Sequence, residues 1–163
     1  MTQGVLNEGI LGIYETHLPV SDLERSIAFY SQKVGLTLAT EIRERNVAFF
    51  WVGGKEAGML GLWGVGSAPL HMKLHFAFRA TQELVVNACA TLNALNVKPL
   101  GFRGEPVTEP VVFGWMPAIS IYFKDPDGHS IELLHVLDGV PDPEFGVQPY
   151  SAWVERNQRG SKP

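Results

Sequence analysis

Three side chains in this sequence have the types and spacing to hold a metal ion: His17, His75 and Glu132. Nearly equal lengths of chain separate them (75 − 17 = 58 and 132 − 75 = 57), and each falls in a strand-like run. Two imidazoles and one carboxylate suit a divalent cation such as Mn, Fe, Co, Ni or Zn, and leave net positive charge to polarise a substrate's oxygens. A lone histidine in a strand is more often a satisfied or surface residue than a ligand, so the weight rests on the three together. The remaining histidines fit less well. His71 and His75 would share a strand face but stand about 13 Å apart. His129 belongs to a turn, and His135 lies on the opposite strand face from Glu132. These three are read as structural or substrate-facing.

The elements that position the three form two similar halves. The first opens with a strand over 12–20. Ser21-Asp22-Leu23-Glu24 then has capping-box spacing, with Ser21 predicted as the cap. Leu23, Ile27, Tyr30 and Val34 mark one face of a helix ending near Gly35. Strands are predicted over 36–42, 46–52 and 58–63, with a turn at Gly53-Gly54-Lys55-Glu56 between the last two. In the second half a strand over 71–79 precedes a helix capped by Thr81, with Leu84, Ala88, Leu92 and Leu95 as its apolar face. Strands over 97–102, 118–123 and 130–137 follow, the last two joined by the turn Asp125-Pro126-Asp127-Gly128.

The order β-α-β-β-β therefore occurs twice. An ungapped shift of 71 places Phe50-Trp51-Val52 on Ile121-Tyr122-Phe123 and Met59-Leu60-Gly61-Leu62 on Ser130-Ile131-Glu132-Leu133. Gly61 then stands where the second half has Glu132, so one carboxylate of a two-fold site is missing. Residues 10–63 and 71–137 form the two modules of a single domain, 64–70 the linker, and 138–163 a tail. That tail is expected to be a strap, a lid or a loose terminus.

Bulk properties narrow the function. The 163 residues are 45% hydrophobic and 18% charged, ordinary for one globular domain. The formal charge of −4 comes without clustered Lys or Arg, which argues against a nucleic-acid partner. No apolar run reaches membrane-spanning length, and the start lacks a basic segment followed by an apolar one, so a soluble cytoplasmic protein is expected. The single Cys89 sits in the apolar stripe of the second predicted helix and is read as buried.

The runs His17-Leu18-Pro19-Val20-Ser21-Asp22-Leu23-Glu24-Arg25-Ser26-Ile27-Ala28-Phe29-Tyr30, His75-Phe76-Ala77-Phe78 and Tyr122-Phe123-Lys124-Asp125-Pro126-Asp127-Gly128-His129-Ser130-Ile131-Glu132-Leu133 resemble the vicinal oxygen chelate superfamily. That group includes glyoxalase I, fosfomycin-resistance thiol transferases, extradiol dioxygenases and bleomycin-resistance proteins. The resemblance implies an α+β fold in which two β-α-β-β-β modules form a cupped mixed sheet around one divalent metal. It implies His17, His75 and Glu132 as ligands, a small-molecule substrate chelated through two oxygens, and a homodimer with sites at the module interface.

Within the superfamily several activities stay open. A glyoxalase would use a second carboxylate where this chain has Gly61. Fosfomycin-type enzymes share Ser120 and Tyr122, the two candidate catalytic residues, but need cations that Arg103 alone supplies near the loop 101–117. An extradiol dioxygenase would carry a further His where Phe113, Gly114 and Trp115 stand. Bleomycin-resistance proteins bind a drug without the metal triad. Trp51, Trp63, Phe113 and Trp115 are candidate substrate-binding residues, each also eligible for the core. Such a lining favours a small, mostly neutral oxygenated compound.

Overall fold

The computed structural model describes residues 11–65 and 72–160, which fall into two compact units divided between Met72 and Lys73. The predicted linker lies mostly outside the described residues, as does His71.

In the first unit β1 (Glu15–Val20), β2 (Thr37–Ile42), β3 (Val47–Trp51) and β4 (Met59–Gly64) form a sheet in the order β1-β4-β3-β2. β1 runs parallel to β4, and the other pairs are antiparallel. Strand alternation divides its side chains cleanly. Leu18, Val20, Ala48, Phe50, Leu60 and Leu62 are buried on one face, which packs on helix α1 (Leu23–Phe29). Fully burying one such Leu or Phe contributes about 1.5–3 kcal/mol. The opposite face carries Glu15, His17, Phe49, Trp51 and Trp63, matched across the strands by register.

The cap of α1 differs from the expectation. Asp22, not Ser21, accepts the Arg25 backbone N–H at 3.0 Å, while Ser21 Oγ accepts from the Arg25 guanidinium. Asp22 directly precedes the first helical residue, so its carboxylate reaches the free donors and Ser21 lies one position too early. A π-helical turn, Tyr30–Val34, extends the helix to Gly35, whose φ of 80° ends it in the left-handed region.

The second unit repeats the plan with β5 (His75–Arg79), helix α2 (Gln82–Ala94), β6 (Val111–Phe113), β7 (Ala118–Lys124) and β8 (Ser130–Val136), in sheet order β5-β8-β7-β6. Thr81 caps α2 as expected, accepting from Leu84 N. The buried stripe is Val85, Ala88, Cys89 and Leu92, whereas Leu84 is exposed. The stripe thus lies one residue later than the sequence reading placed its start. The predicted strand over 97–102 is not formed. Only Leu100 pairs, through isolated bridges to Pro106 and Tyr122. Pro99 removes a ladder donor from that run, and the buried trio Val111–Phe113 supplies the strand instead.

Among the described residues the tail is not a loose terminus. It adds β9 (Val147–Pro149) to the free edge of β6, followed by helix α3 (Tyr150–Gly160). Phe145 meets Trp153 edge to face at 5.0 Å, and Ser151 is bonded to Glu109. Gly114 permits the approach: a Cβ there would fall 2.7 Å from Phe145 Cβ.

The registers also correct the ungapped comparison. Trp51 pairs with Met59, whereas Lys124 pairs with Ser130. The first turn (52–58) is therefore two residues longer than the second (125–129), and Trp51 corresponds to Lys124 rather than to Tyr122. The equivalence of Gly61 with Glu132 survives. Val52 N bonds Gly58 O just before β4, as Asp125 N bonds His129 O just before β8.

Candidate metal centre

The second unit brings His75 and Glu132 together on one sheet face. His75 Nδ1 is 3.0 Å from Ser130 O, and a carbonyl only accepts, so Nδ1 carries the proton. Nε2 then faces Glu132 Oε2 at 3.3 Å. A neutral imidazole in this tautomer aims a lone pair at a carboxylate oxygen. That is a favourable arrangement only with a proton or a metal ion between them. The Tyr122 hydroxyl donates to Glu132 Oε1 at 2.9 Å and fixes the other half of the carboxylate. Burial, then the charge of Glu132 and the hydrogen bond to it, raise the Tyr122 pKa well above its ordinary value; Ser120 opposes this weakly. Tyr122 therefore stays a donor. The donor chemistry of this pair fits a divalent cation, with the imidazole oriented from behind by a backbone carbonyl.

In the first unit His17 lies against Trp63 and Glu15. The Trp63 indole N–H donates to His17 Nδ1 at 2.6 Å, and His17 Nε2 is 2.9 Å from Glu15 Oε1. Phe49 meets the His17 ring edge to face. Among the described residues no group of three or more His, Cys, Asp or Glu side chains is gathered as an ion would need. The donors stand in twos, one pair on each unit.

The other candidates divide. Ser120 shares the face of Glu132 by register but is fully buried, its Oγ without a partner at hydrogen-bonding geometry. Phe113 is buried with Leu100, Val111 and Tyr122 in a core cluster, and Phe102 packs edge to face on it. Trp51 lies on the face of Glu15 and His17. Trp115 is 61% exposed in the turn after β6. Arg103 stands on the exposed loop before β6, its backbone N–H held by Glu105. His129 is buried with Nδ1 accepting from Leu74 N, and His135 Nδ1 donates to Ala80 O, so both brace the sheet. Two neighbours were missed. Glu15 precedes His17 by two residues, the period that puts strand side chains on one face, and that spacing was there to be seen. Arg45, whose guanidinium lies 4.9 Å from the Trp63 ring centroid, carries no such signal.

Residues 12–133 match the model of the glyoxalase/bleomycin resistance protein/dioxygenase superfamily, three quarters of the chain. The chain belongs to that superfamily. Among solved structures of this superfamily's fold, an integron cassette protein from the mobile metagenome of Halifax Harbour sewage outfall is 31% identical. It covers 78% of this chain and 100% of its own, with a TM-score of 0.68. A lactoylglutathione lyase from Agrobacterium tumefaciens is 24% identical over 77% of this chain and 94% of its own, with a TM-score of 0.60. A fosfomycin resistance protein from Listeria monocytogenes is 24% identical over 78% and 95%, with a TM-score of 0.56. These last two likenesses carry the superfamily fold only. Within that fold the ladder of β5 and β8 positions His75 beside Glu132, and the parallel ladder of β1 and β4 positions the pair Glu15 and His17. No helix of the described residues is long and apolar enough to cross a membrane.

Proposed function

We propose that this superfamily member is a divalent-metal-dependent enzyme acting on a small, mostly neutral oxygenated compound bound through two oxygens. His75 and Glu132 hold the metal, completed from β1, where the candidate donors His17 and Glu15 stand together. The observation that carries this reading is the His75 tautomer, with Nδ1–H given to Ser130 O and Nε2 turned toward Glu132. The metal would supply Lewis acidity toward the substrate's oxygens.

The chain's own residues do the rest. Ser130 O fixes the His75 ring, Tyr122 holds one carboxylate oxygen in place, and both reduce the freedom lost on binding. Trp63 and Trp51 give the first unit's face an aromatic surface suited to an apolar or aromatic substrate body. Trp115 and Arg103 are proposed to contact the substrate from the second unit's loops, with the buried Ser120 and Phe113 backing Tyr122. The protein is further proposed to work as a homodimer. Ring cleavage of a catechol-like compound and isomerisation of a glyoxalase-type substrate are the two reactions to screen first.

The test is metal binding by calorimetry with zinc, manganese and ferrous ions, on wild type and on His75→Ala and Glu132→Ala. One ion per chain is expected for wild type, weakened at least about 100-fold in either variant. A wild-type protein that takes up none of these ions would overturn the proposal.

A further inference from the structure

The two ladders place Glu15, not His17, at the position equivalent to His75. His75 pairs with Ser130 and Glu15 with Met59; Ala77 pairs with Glu132 and His17 with Gly61. The hydrogen bonds that open the ladders agree. Ser130 N donates to Leu74 O at 2.8 Å, and Met59 N donates to Tyr14 O at 2.7 Å. His17 therefore corresponds to Ala77, a residue too small to reach an ion. It fills instead the space that Gly61 leaves: a Cβ at position 61 would collide with the His17 ring, its Cε1 at 2.9 Å.

The hydrogen bonds around His17 settle its tautomer. Indole nitrogen only donates, so the Trp63 bond makes His17 Nδ1 an acceptor and leaves the ring proton on Nε2. That Nε2–H points at Glu15 Oε1. A neutral imidazole held this way has no lone pair left for a metal. Glu15 does: its second oxygen takes no hydrogen bond or ion pair among the described residues. His75 is the mirror case, its proton on Nδ1 and its Nε2 turned toward Glu132 Oε2 at 3.3 Å.

Resting on the metal-dependent reading above, we propose that the first unit's metal donor is the Glu15 carboxylate. His17 is then a positioning residue, relaying Trp63 N–H through the imidazole to hold Glu15. The donor set becomes one imidazole and two carboxylates. Two carboxylates neutralise a divalent charge that two imidazoles and one carboxylate would leave positive. The harder oxygen donors also favour manganese or ferrous ion over softer metals.

Zinc, which has no unpaired electrons, allows the test by NMR of the imidazole nitrogens alongside calorimetry. In the wild-type chain zinc is expected to shift His75 Nε2, while His17 keeps its proton on Nε2 throughout. Glu15→Gln is expected to weaken zinc binding at least about 10-fold, and His17→Phe by about 10- to 100-fold. His17→Gln, which retains an N–H donor, should recover most of that loss. Zinc stripping the proton from His17 Nε2, or unchanged affinity in Glu15→Gln, overturns this proposal and leaves the metal-dependent reading standing. No zinc effect on His75 overturns both. The wild-type spectra do not depend on any variant folding.

Discussion

At the residue scale, the candidate centre rests on proton positions as much as on residue types. His75 and His17 are both strand histidines beside a carboxylate, yet Ser130 O and the Trp63 indole put their protons on opposite nitrogens. A second consequence concerns Tyr122. Its pKa is raised, first by burial and then by Glu132, so the native state favours the protonated phenol. A group shifted upward contributes stability that is whole below its unfolded pKa, about 10, and is lost as pH rises through the native value. Denaturant unfolding measured from pH 8 upward, in whole-unit steps, should therefore show wild-type stability falling more steeply above pH about 10 than that of Tyr122→Phe. Parallel slopes would count against the assignment. The types His75, Glu132 and Tyr122 were legible in the sequence; the proton positions were not, because they depend on Ser130 and Trp63 being brought alongside by the ladders.

At the element scale, local signals held where the chain decides alone. Thr81 caps α2, Gly35 ends the first helical segment, and Asp125 closes its turn by accepting from Asp127 N and His129 N. They failed where two local choices compete or where partner strands decide. Ser21 reads as the cap by its spacing to Glu24, yet Asp22 directly precedes the first helical residue and takes that place. Asp22→Ala is expected to cost about 1 kcal/mol, against less than about 0.5 kcal/mol for Ser21→Ala, in denaturant unfolding. A reversed order would return the cap to Ser21. The run over 97–102 has a strand-like composition, but β7 takes Val111–Phe113 as its neighbour and only Leu100 keeps a bridge. The tail had no legible role because an edge strand is recognised only by the edge it covers.

At the scale of the whole molecule, each unit carries one imidazole and one carboxylate within hydrogen-bonding or ion-pairing reach, in reversed order along the ladder. Neither pair alone makes a three-donor centre, so the proposed ion draws on two units, from one chain or from two. A mixing experiment separates the cases. If a homodimer shares its sites between chains, refolding a Glu15→Gln chain with a His75→Ala chain should restore about a quarter of the wild-type zinc sites, since half the dimers are mixed and one of their two sites is intact. Zinc binding that stays at the level of the separate variants would place both donors of a site in the same chain.

By itself the sequence determined the doubled β-α-β-β-β plan, the cores under α1 and α2, and the presence of His75 and Glu132 in strands. Hydrophobic alternation, caps and turn residues act within a few positions and are written directly in the chain. What only the tertiary structure decided is which residue stands opposite which. A two-residue difference between the turns 52–58 and 125–129 leaves every side chain on its face while moving it along the ladder. The strand period of two hides such a shift from any pattern of apolar and polar residues. The separate parallel ladder of β1 with β4 sets His17 into the space at Gly61 and Glu15 at the position equivalent to His75, so the donor proposed for the first unit is a property of that ladder.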